Sequence, residues 1–86
     1  MSDQQGEVTN EQWRERLLSG QNAIREWNEL TDEARARVND FRKVDFSGAD
    51  LRSIILSFCD LRESNLSGTQ LQDSAMQDAK LSRALL

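Results

Sequence analysis

Apolar residues follow two different periods along this chain. In the first third, Trp13, Leu17, Gly20, Ile24 and Trp27 fall on one narrow stripe at about 100° per residue, while Arg14, Glu15, Arg16, Arg25, Glu26 and Glu29 fall mostly elsewhere. That is the pattern of an amphipathic α-helix over roughly residues 11–29. Thr9 or Asn10 supplies its N-cap, with Gln12 three residues after Thr9 in capping-box spacing. Gly20 lies on the apolar stripe. It either breaks the helix or lets a neighbouring surface approach closely, and the second reading is preferred because of its place on the stripe. Thr31 is a second N-cap, followed by Asp32 and Glu33, whose charges suit a first turn. Ala34, Val38 and Phe41 continue at helical spacing to about Arg42. The first half therefore predicts two helices, or one with a corner near Leu30–Thr31.

After Lys43 the period becomes five. One column reads Phe46, Leu51, Leu56, Leu61, Leu66, Leu71, Met76, Leu81, Leu86 without a gap. The column two residues earlier is mostly small: Val44, Ala49, Ile54, Cys59, Ser64, Thr69, Ser74, Ala79, Ala84. Between them stand Asp45, Asp50, Ile55, Asp60, Asn65, Gln70, Ala75, Lys80 and Leu85. Neither the 3.6 residues of a helix nor the two of a strand keeps every fifth side chain on one side.

This three-column pattern resembles the pentapeptide-repeat family, whose repeat is A(D/N)LXX; residues 49–51, 59–61 and 64–66 match it most closely. The resemblance implies an α+β chain: a short right-handed quadrilateral β-helix, a solenoid of four pentapeptides per coil and about two coils, preceded by one or two helices. The implied inward positions are Phe46, Leu51, Leu56, Leu61, Leu66, Leu71, Met76 and Leu81, with each residue stacked under the one twenty later. The expected division is a disordered tail at 1–9, a helical capping segment at 10–42 and the repeat solenoid at 43–86. Two coils need covered ends, and the Trp13/Leu17/Ile24/Trp27 stripe is expected to cover the first.

The C-terminal end has no such cover in the sequence, which stops in mid-pattern at Leu85 and Leu86. A fragment of a longer repeat protein, end-to-end pairing of two copies and a fold-back of the last residues are the alternatives. Leu81, Leu85 and Leu86 are the candidate coil-end interface, through which a homodimer would form.

Composition narrows the chemistry. The chain has 86 residues, a formal net charge of −4, one cysteine and no histidine. Six Lys and Arg stand against nine Asp and Glu in residues 1–42, and five against six in residues 43–86, so no basic stripe points to nucleic acid. No apolar run approaches the length of a membrane span, and the polar start MSDQQGEVTNEQ lacks the apolar core of a signal peptide. A cytoplasmic protein follows, and the family resemblance points to a bacterial one. The Asp45/Asp50/Asp60 column reads as structural, and Cys59 as a buried inert thiol. No catalytic residue, metal ligand or cofactor is expected. The outward Ile55 and Phe58, with Ala75 stacked above Ile55, form an apolar patch that either the helices or a partner covers. The functional expectation is a non-catalytic protein-binding or scaffold module of the family. Its partner is another protein or a second copy, not nucleic acid or a membrane. The family's DNA-mimicking topoisomerase inhibitors are the other resemblance, disfavoured by this chain's shortness and weak charge.

Overall fold

The structure is a computed structural model that describes residues 8–86. Three short helices come first: α1 (Asn10–Arg16), α2 (Gln21–Asn28) and α3 (Asp32–Ala36). Thr9 caps α1 in a complete capping box: its side chain accepts from the Gln12 amide while Gln12 Oε1 accepts from the Thr9 amide. Thr31 caps α3 by accepting from the Ala34 amide. Of the tail expected to be disordered, residues 1–7 lie outside the described part.

The single helix expected over 11–29 is two. Gly20, at φ 123°, is the N-cap of α2, and a side chain there would meet nothing within 4 Å. The glycine is used for its backbone and not for close approach. The helix expected to run from Thr31 to about Arg42 is α3, which ends early, at Ala36. Phe41 leaves the helical pattern because it joins the five-residue column: it is fully buried, and its amide donates to Asp60 O at 2.8 Å.

The expected α+β right-handed β-helix is corrected by the structure, since no β-strand occurs among the described residues. Residues 40–86 form a succession of five-residue turns joined by isolated parallel bridges, Asp40 with Asp60, Asp45 with Asn65, and so on to Asn65 with Leu85. The physical reason lies in the turns. The residue two after each large inward side chain has positive φ, from Lys43 (61°) through Gly48 (74°) and Ser53 (68°) to Arg83 (63°). A turn every five residues leaves one bridging residue per side, too little to count as a strand. The bridges nonetheless keep a constant offset of twenty residues. Phe46 and Leu51 amides donate to the Asn65 and Gln70 carbonyls at 2.8 and 2.9 Å, and Ala75 N donates to Ile54 O at 2.9 Å.

The middle column explains itself locally. Asp40, Asp45, Asp50, Asp60 and Asn65 each accept, through Oδ1, the backbone amide two residues on. These Asx turns hold the corner that the positive-φ residue completes. In the second column, the Ser64 hydroxyl donates to Leu61 O and the Thr69 hydroxyl to Phe46 O, so polar side chains enter the interior with their bonds made.

Phe46, Leu51, Leu56 and Leu61 are fully buried, Leu66 nearly so, and Leu71, Met76 and Leu81 half-buried. The helical stripe joins this column through an edge-to-face chain: Trp13 to Trp27 at 5.2 Å, Trp27 to Phe41 at 5.4 Å, and Phe41 to Phe46 at 6.0 Å between ring centres.

Polar side chains of the helices complete the first circuit of turns. Ala75 uses its amide and carbonyl to bridge to the preceding circuit, but Ile55, twenty residues earlier, has no preceding circuit. Its amide donates instead to Asn28 Oδ1 at 2.9 Å, and its carbonyl accepts from Trp27 Nε1 at 2.6 Å. Gln21 Nε2 reaches Arg52 O, and Asn28 Nδ2 reaches Ser53 O. Side chains thus stand in for a neighbouring backbone and meet its hydrogen-bonding demand.

Candidate functional site

A groove of about 570 Å³ opens between α3 and the turns beside it. One wall comes from Asp32, Glu33 and Ala36 of α3; the other side comes from Ile55, Phe58, Ala75 and Gln77. The three residues singled out in the sequence as an outward apolar patch therefore line one depression. Helix α3 stands beside the patch and does not seal it: Ile55 is half-buried, Ala75 exposed, and Phe58 64% exposed.

Two features set Phe58 apart. It occupies the left-handed corner of its turn, at φ 66°. The equivalent corners are Lys43, Gly48, Ser53, Glu63, Gly68, Asp73, Asp78 and Arg83, all glycine or polar. Any L-residue with a Cβ pays about 1–2 kcal/mol at such a φ, a cost shared with Lys43, Ser53, Glu63, Asp73, Asp78 and Arg83, so the apolar ring is what distinguishes Phe58. Phe58 thus carries both a backbone cost and an exposed ring, while its own amide pairs with Gln77 O and its carbonyl with Asn39 Nδ2. Ile55 is the second departure. In the first circuit it alone lacks the oxygen with which Asp45, Asp50 and Asp60 close their turns, and it stands where Trp27 and Asn28 dock.

The groove's electrostatics follow from Arg35. Its guanidinium turns inward, donating to the Trp27, Asn28 and Leu30 carbonyls at the end of α2 and pairing with Asp32; the side chain is 12% exposed. The charge left over at the opening is that of the exposed Glu33, since the Asp32 carboxylate, though exposed, is already paired with Arg35.

Away from the groove, the Arg42 and Arg52 guanidiniums hold the Asp40 and Asp50 carboxyls down, each to about 2; the Arg62 guanidinium holds the Asp60 carboxyl below its ordinary value. In each pair the arginine, two residues after the aspartate, grips both carboxylate oxygens. Burial pushes the Cys59 thiol up to about 12. Among the described residues, no three His, Cys, Asp or Glu side chains gather closely enough to hold a metal ion, and no helix is long and apolar enough to cross a membrane.

At the other end, Leu81 is half-buried, Leu85 58% exposed and Leu86 79% exposed. Among the described residues, the amides of Leu71, Met76 and Leu81 and the carbonyls of Thr69, Ser74 and Ala79 have no backbone partner. Sequence reasoning missed α3 as the groove's second wall, and it missed Asn28 and Asn39, whose amides satisfy the turns. Asparagine next to the end of an apolar helical stripe was the available signal.

A family model for pentapeptide repeats, in eight copies, matches residues 56–86. The chain carries pentapeptide repeats behind an N-terminal helical segment. The match begins at Leu56, whereas the five-residue column of the pentapeptide repeats runs from Phe46. No curated protein and no solved structure matches the chain. The role expected from the resemblance, a binding or scaffold module of the family built on a β-solenoid rod, does not stand. It presupposed strands along the rod, and the repeats here are linked by single-residue bridges. The topoisomerase-inhibitor alternative rested on the same rod and falls with it.

Proposed function

We propose that the groove between α3 and the turns at Ile55 and Ala75 receives an apolar side chain from a segment of another protein, with Phe58 as the contact residue. The observation that carries this reading is Phe58 itself: among the described residues it is the only large apolar side chain at a left-handed corner, and it is exposed. An exposed aromatic ring that adds nothing to the core and borders an apolar groove marks a contact surface. The groove's size lies within the roughly 300–1,000 Å³ of clefts that hold small-molecule-sized groups, room for more than one side chain. Binding requires no chemistry from the site, and the unpaired, buried Cys59 thiol suits a reducing, cytoplasmic setting.

The test is a nuclear magnetic resonance titration of the whole chain with N-acetyl-tryptophanamide. The expected result is a set of amide shifts centred on Ile55, Phe58, Ala75 and Ala36 that Phe58→Ser removes. Serine is accommodated at the corner, as Ser53 shows at φ 68°. No shifts at saturating probe, or shifts confined to residues 81–86, would overturn the reading.

A second surface is favoured by a separate observation. The unpaired amides and carbonyls of the last circuit, beside Leu85 and Leu86, are suited to a second copy docking end to end. Helical side chains already occupy the opposite side of the turns, so such pairing would be two-fold and closed. Light scattering over a wide concentration range decides it: a dimer abolished by Leu86→Asp supports it, and a monomer throughout rejects it.

A further inference from the structure

The chemistry around the groove narrows its occupant. Its exposed carboxylates are Glu33 and Asp32 on α3, the second already paired with Arg35, its one lining cation; and the ring of Phe58 offers an open aromatic face. Carboxylates beside an exposed aromatic face attract a cation from two directions: by charge, and by the ring's negative face. We infer that the groove recognises a cationic peptide segment, in which a Lys or Arg side chain lies over Phe58 with its charge toward Glu33 and an adjacent apolar residue enters toward Ile55 and Ala75. This rests on the groove being a docking site, as proposed above.

A second copy of this chain is the weaker candidate. Its Arg42, Arg52 and Arg62 are each gripped by their own aspartates, Arg16 by Glu26 and Arg14 by Asp40, which leaves the exposed Arg25, Arg37 and Lys80 among the cations it could offer. Two copies meeting by this face would also bring two acidic rims together. A partner whose basic groups are free fits better, and the chain's net charge of −4 adds a weak long-range attraction.

The experiment is a random linear-peptide display selection against the whole chain, run in parallel on wild type, Phe58→Ser, Glu33→Gln and Glu33→Lys. Glu33 is exposed, and the glutamine variant guards against helix-end effects of the lysine. Wild type is expected to enrich peptides with Lys or Arg next to a large apolar residue. Glu33→Gln should weaken their binding roughly three- to fivefold, the size of a partly exposed charge contact. Glu33→Lys should shift enrichment toward acidic flanks, and the wild-type affinity should fall as salt is raised. If wild-type peptides depend on Phe58 but show no basic preference, or Glu33→Lys selects the same set, the cationic assignment is wrong while the groove stands. If wild type enriches nothing, or Phe58→Ser enriches the same peptides, both fail together. A dimer by light scattering that Phe58→Ser dissolves assigns the groove to a second copy and overturns the cationic assignment.

Discussion

Replacing Asn28 with alanine isolates the device that ends the turns on the helical side. The Asn28 amide makes two bonds across the junction: Oδ1 accepts from Ile55 N at 2.9 Å, and Nδ2 donates to Ser53 O at 2.8 Å. The first is partly buried, so its loss leaves an amide facing protein where water enters poorly, a cost of about 1–3 kcal/mol. The second is exposed, and water takes over most of it; its net loss is about 0.5 kcal/mol, the low end for a hydrogen bond. Together the change costs about 2 kcal/mol. Against the roughly 4–13 kcal/mol of total stability ordinary for a chain of this size, that is a large share. At about 4–8 °C per kcal/mol, the melting temperature should fall by roughly 8–16 °C, read by circular dichroism and checked by urea unfolding with an unchanged m-value. Asn28→Asp keeps the acceptor for Ile55 but turns the donor to Ser53 O into a second acceptor and adds an unfavourable charge at the end of α2; it should still lose less than alanine, because the partly buried Ile55 amide stays paired. A fall under about 3 °C for Asn28→Ala, or equal losses for alanine and aspartate, would refute the idea that this side chain substitutes for backbone.

Three further outcomes follow from the same geometry. Leu56→Ala empties a fully buried position in the column and should cost about 2–5 kcal/mol by urea unfolding. Asp40 and Asp50 have carboxyls held near 2 in the folded chain, against an ordinary 3.8. Their contribution is therefore present above pH 3.8 and lost as pH falls through about 2, so thermal stability should drop across that interval, and Asp50→Asn should shallow the drop. Cys59 is buried with a thiol pushed up to about 12, so iodoacetamide should leave it unmodified in the folded chain at neutral pH and label it in urea.

The five-residue repeat was legible because three columns of side-chain size and polarity are constrained together at a period no helix or strand produces. The Thr9 and Thr31 caps were legible for the same reason: a hydroxyl before an apolar-periodic run has one economical use. Other features depend on what touches what. Gly20 carries no side chain, so its place on the apolar stripe was uninformative, and its backbone angle decided the matter. Phe41 satisfies both periods, being three residues after Val38 and five before Phe46; burial beside Trp27 and Phe46 assigns it to the turns. Strands were expected by analogy, but a corner at every fifth residue leaves only one bridging residue between corners. The groove needed α3 to end at Ala36, and helix length is set by tertiary contacts more than by propensity.

The central claim is that Phe58 is kept for contact and not for stability, and the most direct test is one variant measured two ways. Phe58→Gly removes the ring and relieves the left-handed corner, partly offset by the greater freedom of unfolded glycine. Its melting temperature should equal or exceed that of wild type, while its affinity for a peptide selected on wild type, measured by calorimetry, should fall at least about tenfold, or 1.4 kcal/mol. A variant that melts several degrees lower and binds as wild type does would contradict the account, because Phe58 would then belong to the fold and the groove would have no demonstrated use.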